Sequence, residues 1–470
     1  MAAPGLGAEP IRVLELGCGQ GLSANIIAAA NPHIDYTAID FNPEHIAGAQ
    51  ALAKDAGAPN VRFIEASFEQ IAEDTSFTPF DVITLHGIYT WVSAENRAHI
   101  IRVARDKLKT GGLLYVSYNC YPGWSPVIPI RCIFTDTSEV SPKEPIFDRL
   151  AEGLRLFDRL KDIKARYIGA TPGLVERMEQ VKKLQRNYVA HEYLNGEWTI
   201  FHSPEVAADM ARAKLSYGSA HLLDHVDGIN LTAEQSQFLA EIKDSTRREY
   251  FRDLIVNQQF RRDIFVKGTQ RLGFLTARDK WLDLRLVLSV PAADLPKTVK
   301  GALGEAKLQD EVYEPIVAKL DGQPKTVREL LANPSIANLQ LQQALIVLLG
   351  QGKCHIALPS SGESGDAGCC RPDAAQFVWD VLKSHVQKLI KEGKTVESAR
   401  NRRKVSSRTW GGFVNPEGAI KRGKLNDACT SSLLGDRISL ASPRVRAIGR
   451  AIGFVFGRRP ECGPEGHVSR

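Results

Sequence analysis

No run in this 470-residue chain approaches the roughly 20 consecutive apolar residues of a membrane span. Met1 to Pro10 holds no basic residue and no long apolar core, so it does not read as a signal peptide. The eight cysteines form no C-x-x-C pair. That spacing excludes a disulfide frame or a zinc site and predicts reduced thiols in a cytoplasmic protein, with no metal. The adjacent Cys369 and Cys370 lie in a Gly/Ser-rich stretch and are not expected to bind metal. Net positive charge is absent over most of the chain. From Val381 onward 19 Lys and Arg stand against 7 Asp and Glu, while the whole chain carries only +6. The basic excess therefore belongs to the tail, and the rest is mildly acidic.

What is present is ordinary for a globular protein: 43% hydrophobic and 24% charged residues, in a length that suggests two or three domains. The chain is organised around Val13 to Gly21. Arg12 to Leu16 reads as a short buried strand stopped by glycine, and Leu22 to Ala30 as a helix rich in Ala and Ile. Three glycines, Gly17, Gly19 and Gly21, stand between them with Cys18 and Gln20 interleaved. A glycine turn before a helix N-terminus lets backbone approach a ligand closely and points free N–H groups at it. A dinucleotide site needs G-x-G-x-x-G, and here the third glycine comes one residue early. Glu15, two residues ahead, would repel a pyrophosphate but suits an ammonium or sulfonium group.

A second strand, Tyr36 to Asp40, ends in an acid about twenty residues beyond the glycines, where a nucleotide site places a carboxylate for ribose hydroxyls. Phe41 can pack on an adenine face, and Asn42-Pro43 caps the next helix. Val61 to Glu65 and Phe80 to Leu85 are the third and fourth strands. The fourth empties into His86, Tyr89 and Trp91, in the region past strand ends that lines the ligand crevice of an open α/β sheet. An amphipathic helix over 96–108 is followed by the Lys109-Thr110-Gly111-Gly112 stop and a fifth strand, Leu113 to Asn119. Tyr118 and Asn119 close that strand. Tyr89 and Trp91 are as well suited to packing under the next helix as to lining a site.

The E-x-G-x-G-x-G pattern resembles motif I of the class I S-adenosylmethionine (SAM) methyltransferases, and the segment LKTGGLLYVSY resembles the end of their sheet. SYN-x-x-PGW, AHEYLNGEW, NLTAEQ and RDLIVNQQFRRDIFVKG sharpen the match to bacterial methyltransferases with a methyltransferase regulatory domain, whose relatives include rickettsial enzymes that methylate lysines of outer-membrane proteins. The resemblance spans about Arg12 to Leu358. It implies a Rossmann-like α/β sheet, SAM as cofactor, and methylation of protein lysines; a small-molecule N- or O-methyltransferase and a non-catalytic SAM-binding protein are the alternatives. Expected cofactor contacts are Glu15, Gly17, Cys18, Gly19, Gly21, Asp40, Phe41, Ser67, Phe68 and His86. Ser67 stands where the family often has an Asp for the adenine amino group. Expected acceptor-site residues are His86, Tyr89, Trp91, Tyr118 and Asn119. Relatives usually carry a segment before the first strand that helps cover the cofactor, and here the first strand comes already at Arg12.

The expected division is a SAM-binding core over 1–140, a helical insertion and regulatory region with the last sheet strands over 141–270, a winged-helix-like module over 271–360, and a basic, disordered tail over 361–470. Within the second, 142–187 reads as two charge-rich helices with Leu150, Leu154, Phe157 and Leu160 at helical spacing: a lid, a homodimer surface or a plain hairpin. Leu215 to Gly218 and Asp263 to Val266 are the expected last strand pair. In the third, the helix at Leu339 carries no Lys or Arg over its first seven residues, which argues for packing and against nucleic acid. One more helix, Phe377 to Leu389, is expected in the tail.

Overall fold

The structure is a computed structural model that describes residues 10–357, apart from 270–271, 322 and 333–337. The apolar runs read from the sequence form a seven-stranded sheet: β1 (Ile11–Leu16), β2 (Ile34–Asp40), β3 (Val61–Glu65), β4 (Phe80–Leu85), β5 (Leu108–Asn119), β6 (Leu215–Ser219) and β7 (Phe260–Lys267). Their order is β3-β2-β1-β4-β5-β7-β6. The first five are parallel, and β7 runs antiparallel to both β5 and β6. Every residue of β4 is buried, as is β1 from Val13 onward, because helices cover both faces of a parallel sheet.

Alternation along the strands sorts side chains between two cores. Leu14, Leu16, Val116, Tyr118 and Phe265 pack on one face; Val13, Tyr36, Val82, Tyr115 and Ile264 pack on the other. Helices α1 (Leu22–Ala30), α2 (Pro43–Ala56), α3 (Phe68–Glu73) and α4 (Ala94–Lys107) cover these faces. From β1 the chain winds outward through β2 and β3, then returns to β4 and β5 on the other side. The reversal falls between β1 and β4, so their C-terminal ends open a crevice at the topological switch point.

One expectation is corrected here. Lys109 to Gly112 do not separate α4 from β5. Buried Leu108 already pairs with Phe80, and the next pair is Val82 with Leu113. The four residues bulge out between them, with Gly111 at a φ of 79° and Lys109 bonded to Asp81 at 2.9 Å.

Beyond β5, α5 (Ile128–Val140) and α6 (Ile146–Asp162) cross closely enough that a Cβ on Gly153 would meet the Phe134 ring at 2.4 Å. Leu150 and Phe157 are buried in this cluster, with Leu154 and Leu160 partly buried against it. The stretch read as two helices is α6, two shorter helices at Arg166–Gly169 and Leu174–Val181, and the start of the helix Arg186–Leu194. The next segment brings helices Ser203–Arg212 and Ser245–Val256 against each other.

Toward the C-terminus, β8 (Arg285–Leu288), β11 (Lys325–Thr326) and β12 (Cys354–Ile356) form a three-stranded antiparallel sheet, order β11-β8-β12, while β9 (Thr298–Gly301) and β10 (Gly304–Lys307) form a hairpin. The helices read there occur at Asp310–Leu320, Val327–Leu331 and Asn338–Gly350, and Thr326 and Glu329 form the reciprocal capping box. β8 and the hairpin were not read from the sequence. The basic tail, with the helix expected at Phe377 to Leu389, lies outside the described residues.

Candidate functional site

The site is built from the glycine turn upward. Gly17, Gly19 and Gly21 all have positive φ, at 77°, 54° and 68°. The Gly17 and Cys18 N–H groups donate to the Ile39 carbonyl at 2.9 and 2.8 Å, which ties the turn to β2. Two glycines are required by packing: a Cβ on Gly17 would stand 2.5 Å from Ile88, and one on Gly21 would stand 2.5 Å from Ala49 and 2.6 Å from the Phe63 ring. Gly19 differs. A Cβ there would meet nothing within 4 Å, so its backbone faces open space.

Two acids flank that space. Glu15 is 4% exposed and accepts from the Tyr36 hydroxyl at 3.1 Å. Burial pushes its carboxyl from the ordinary 4.5 up to about 7, the Tyr36 bond opposes the rise, and the neighbouring Asp40 adds to it. Asp40 ends β2, and its carboxylate accepts from the Gly19 and Asn42 N–H groups, each at 2.9 Å, with His45 Nδ1 at 3.2 Å. Burial alone would raise its pKa; the bonds to His45, Asn42 and Gly19 outweigh burial and hold it below the ordinary 3.8. Cys18 is half-buried, and burial with the charges of Glu15 and Asp40 pushes its thiol well up, so it stays protonated. Phe41 is 73% exposed beside Asp40. Ser67 caps α3: its Oγ accepts from the Gln70 N–H at 3.1 Å, while Gln70 returns a bond to the Ser67 N–H. Phe68, the first residue of α3, packs against the core.

The residues expected to wall the acceptor site divide. His86 leaves β4 at the switch point, and its Nδ1 lies 2.9 Å from the Tyr115 hydroxyl and 3.3 Å from Ser117 Oγ. Ser117 also accepts from the Gly87 N–H at 2.8 Å, so β5 fixes the turn after β4. Asn119 donates its Nδ2 to Glu192 at 2.6 Å and its N–H to Thr90 Oγ1 at 2.8 Å. His86 and Asn119 line one cavity of about 530 Å³, together with Glu192, Asp224, Glu249 and Asp253.

Tyr89, Trp91 and Tyr118, also expected in the acceptor site, lie elsewhere. Tyr89 is fully buried, with its hydroxyl on Asp209 at 2.7 Å and its ring 5.3 Å from Phe201. Trp91 is covered by the His191 ring at 5.0 Å. Tyr118 is one residue off the Tyr115, Ser117, Asn119 face and so points to the opposite side of the sheet. There it is fully buried and donates to Asp263 at 2.6 Å. None of the three lines the cavity.

Sequence reasoning missed the far wall. Arg261, on β7 and 4% exposed, pairs with Asp253, with Asp263 at 3.0 Å and with Glu249 at 3.0 Å. Burial raises the Asp253 carboxyl to about 6 against the pull of Arg261 and Ser203. Burial acts on Glu249 in the same sense, yet His225 and Arg261 bring it down to about 2. The signal was in the chain, since Arg261 and Asp263 share one face of a strand otherwise rich in apolar residues. Among the described residues no group of three or more His, Cys, Asp or Glu gathers to hold a metal, and no helix is long and apolar enough to cross a membrane.

Comparison with known proteins fits this geometry. Residues 9–144 match a methyltransferase domain and residues 185–267 a predicted methyltransferase regulatory domain. An uncharacterised protein of Synechocystis sp. is 37% identical over 432 residues, which cover 82% of this chain and 85% of that one. An uncharacterised protein of Rickettsia prowazekii is 28% identical over 54% of this chain and 45% of its own. The fold is similar to that of PKMT2 from Rickettsia typhi, solved in complex with AdoHcy: 22% identity, TM-score 0.57, covering 74% of this chain and 71% of that one. The chain belongs to the class I SAM-dependent methyltransferases that carry a methyltransferase regulatory domain.

Proposed function

We propose that this enzyme methylates lysine side chains of proteins. The observation that carries the reading is the cavity at the ends of β4 and β5, lined by His86 and Asn119, where the carboxylates Glu192, Asp224, Glu249 and Asp253 alternate with Arg177, Arg252, Arg261, Arg262 and Lys300, a strongly polar wall suited to a charged chain. The resemblance to rickettsial lysine methyltransferases in the regulatory-domain motifs supports the same acceptor.

The glycine turn fits SAM, because Gly19 backs onto open space between two acids. Gly17, Gly19 and Gly21 seat the methionine part, Glu15 receives its ammonium, Asp40 takes the ribose hydroxyls and Phe41 lies on the adenine. When bound, SAM supplies an electrophilic methyl on sulfur, so the protein's share of the work is positioning. A lysine amine, with a free pKa of about 10.4, must shed a proton before it attacks. The apolar residues in the cavity wall, Val181, Leu184 and Leu223, favour the neutral amine by desolvation. His86, steadied at Nδ1 by Tyr115 and Ser117, stands at the mouth where that proton leaves.

A cytoplasmic setting belongs to the same proposal, in keeping with the free thiols of Cys18, Cys120 and Cys132. So does a homodimer through the helices of 142–187, around which Val140, Ile163 and Tyr167 are exposed apolar residues. The cavity volume also lies in the range of small-molecule sites, which favours a small amine or hydroxyl acceptor as the second reading. Mass spectrometry of lysine methylation in cells with and without the protein separates them. Sites that vanish with the protein support lysine; an unchanged lysine methylome with a changed small-molecule pool supports the second reading.

A further inference from the structure

We propose that the C-terminal module completes the acceptor cavity, and that Lys300 on its β9–β10 hairpin selects proteins with an acidic residue beside the target lysine. The inference rests on the lysine reading above and deepens it, by naming what else in the substrate is recognised. Three observations carry it.

The first is placement. The two family matches end at residues 144 and 267, and neither reaches the hairpin. Yet Lys300, Gly301 and Ala302 line the same cavity as His86 and Asn119 at the ends of β4 and β5. Asn119 is fully buried and Lys300 is exposed, so the first marks the inner end and the second the rim. A lysine side chain reaching toward the strand ends leaves its neighbours in the substrate chain at the rim, beside the hairpin.

The second is how firmly the hairpin is held. Asn230 is 8% exposed, and its Oδ1 accepts from the Ala302 N–H at 2.9 Å. Its Nδ2 donates to the Leu223 and Val226 carbonyls at 2.6 and 3.1 Å. The Leu303 N–H donates to the Ile229 carbonyl at 3.1 Å. Gly301 packs so closely that a Cβ there would stand 2.3 Å from the Ile229 carbonyl oxygen. Val299 is buried with Leu223, Val226, Ile229 and Val347, and strand alternation turns its neighbour Lys300 to the other side. The backbone of Lys300 is therefore fixed against the regulatory domain at the cavity rim.

The third is charge. Glu249 and Asp253 are paired with Arg261, Asp224 lies 3.4 Å from His221, and Arg252 holds Asp227 at 2.8 Å. Lys300 forms no ion pair among the described residues, even with Glu305, which stands opposite it in the hairpin register. Arg177, on the helix Leu174–Val181 in another wall, is held by groups without charge: the Gly123 carbonyl at 2.7 Å and the Trp124 ring at 4.5 Å. Two cations without a carboxylate of their own thus line the cavity from different walls, and they attract a carboxylate that the substrate brings. Lys300 is a specificity residue in this scheme: it meets the neighbour of the target lysine, not the amine or the cofactor. An ion pair at an exposed lysine is weak, so the preference it creates is a few-fold and sensitive to salt.

The test measures methyl transfer by the full chain to three peptides: Ac-Gly-Glu-Lys-Glu-Gly-NH2 and its counterparts with Gln or Arg in place of both Glu residues. Wild-type kcat/KM should be about fivefold higher for the Glu peptide than for the Gln peptide at low salt, and the ratio should shrink at high salt. Lys300→Gln should cut the low-salt ratio to twofold or less, Lys300→Arg should keep it, and Lys300→Glu should favour the Arg peptide over the Glu peptide. SAM affinity within twofold of wild type in all three variants shows that they fold. A Lys300→Gln protein that keeps the fivefold ratio, or a wild-type protein that methylates the Glu and Gln peptides equally well, overturns the inference and leaves the lysine reading intact. A wild-type protein that binds SAM and methylates none of the three peptides overturns the reading itself, and the inference with it.

Discussion

Glu15→Gln gives the sharpest prediction, because it acts in opposite directions on stability and on binding. Glu15 is 4% exposed, and its carboxyl is raised from 4.5 to about 7. The folded state thus holds this proton more tightly than the unfolded chain does. The stabilisation linked to protonated Glu15 is complete below pH 4.5 and is lost as pH rises through 7. Over 2.5 pH units at about 1.36 kcal/mol each, the ionised carboxylate costs the empty protein about 3 kcal/mol at pH 8. Glu15→Gln should therefore raise the melting temperature of the SAM-free protein at pH 8 and change it little at pH 4.5. Binding runs the other way. If the ionised form receives the SAM ammonium, about nine-tenths of Glu15 is competent at pH 8 and about one-tenth at pH 6. Wild-type affinity for SAM should then fall about tenfold between those pH values. Glu15→Gln should bind weakly at both, with no such slope. Calorimetric titration with SAM at pH 6, 7 and 8, alongside thermal melts of both proteins, reads all of these. A flat wild-type affinity from pH 6 to 8, or a melting temperature unmoved by Glu15→Gln at pH 8, would refute the reasoning.

The glycine turn offers a paired comparison. Gly19→Ala meets no atom within 4 Å, so it should fold with a loss of about 1 kcal/mol for its positive φ and lose SAM affinity, whereas Gly21→Ala strikes Ala49 and Phe63 and should lose stability by about 1–3 kcal/mol more. Melts and titrations distinguish the two, and equal melting temperatures would contradict the packing account. Tyr118→Phe removes a donor from buried Asp263 and should cost about 1.5–3 kcal/mol in a denaturant titration while leaving the Michaelis constant for the acceptor within twofold; a large rise in that constant would return Tyr118 to the acceptor site. Asp40→Asn keeps the side-chain shape but weakens its hold on the Gly19 N–H, and SAM affinity measured by titration should fall about tenfold or more.

The strands that carry the glycine turn were legible because buried parallel strands read as unbroken apolar runs. β3 and β4 occur at the residues read, Val61 to Glu65 and Phe80 to Leu85, and α1 at Leu22 to Ala30. The final antiparallel pair was legible in kind, with β7 longer than expected at Phe260–Lys267. Local reading failed at β8, whose partners β11 and β12 lie far along the chain, and at the β9–β10 hairpin, whose short strands are largely exposed and carry no apolar alternation. At the candidate site the sequence is legible to the strand ends and no further. Closeness to a strand end does not separate Tyr118 from Asn119. A strand sends neighbours to opposite faces, so Asn119 reaches the cavity and Tyr118 the core. The same rule would have picked Tyr115 and Ser117, which steady His86. Tyr89 and Trp91 were lost to covering residues, Phe201 and His191, that only the tertiary fold supplies. Glu192 could not be tied to Asn119 from sequence, since 73 residues separate them.

The central claim is methyl transfer from SAM to lysine. Its most direct measurement incubates the purified chain with methyl-labelled SAM and a protein lysate, then hydrolyses the protein fraction and separates the amino acids. The account predicts label in Nε-methylated lysine, depleted when Glu15→Gln replaces the wild-type protein. A chain that binds SAM yet leaves no label in lysine, with the counts in small molecules or in other side chains, would contradict it.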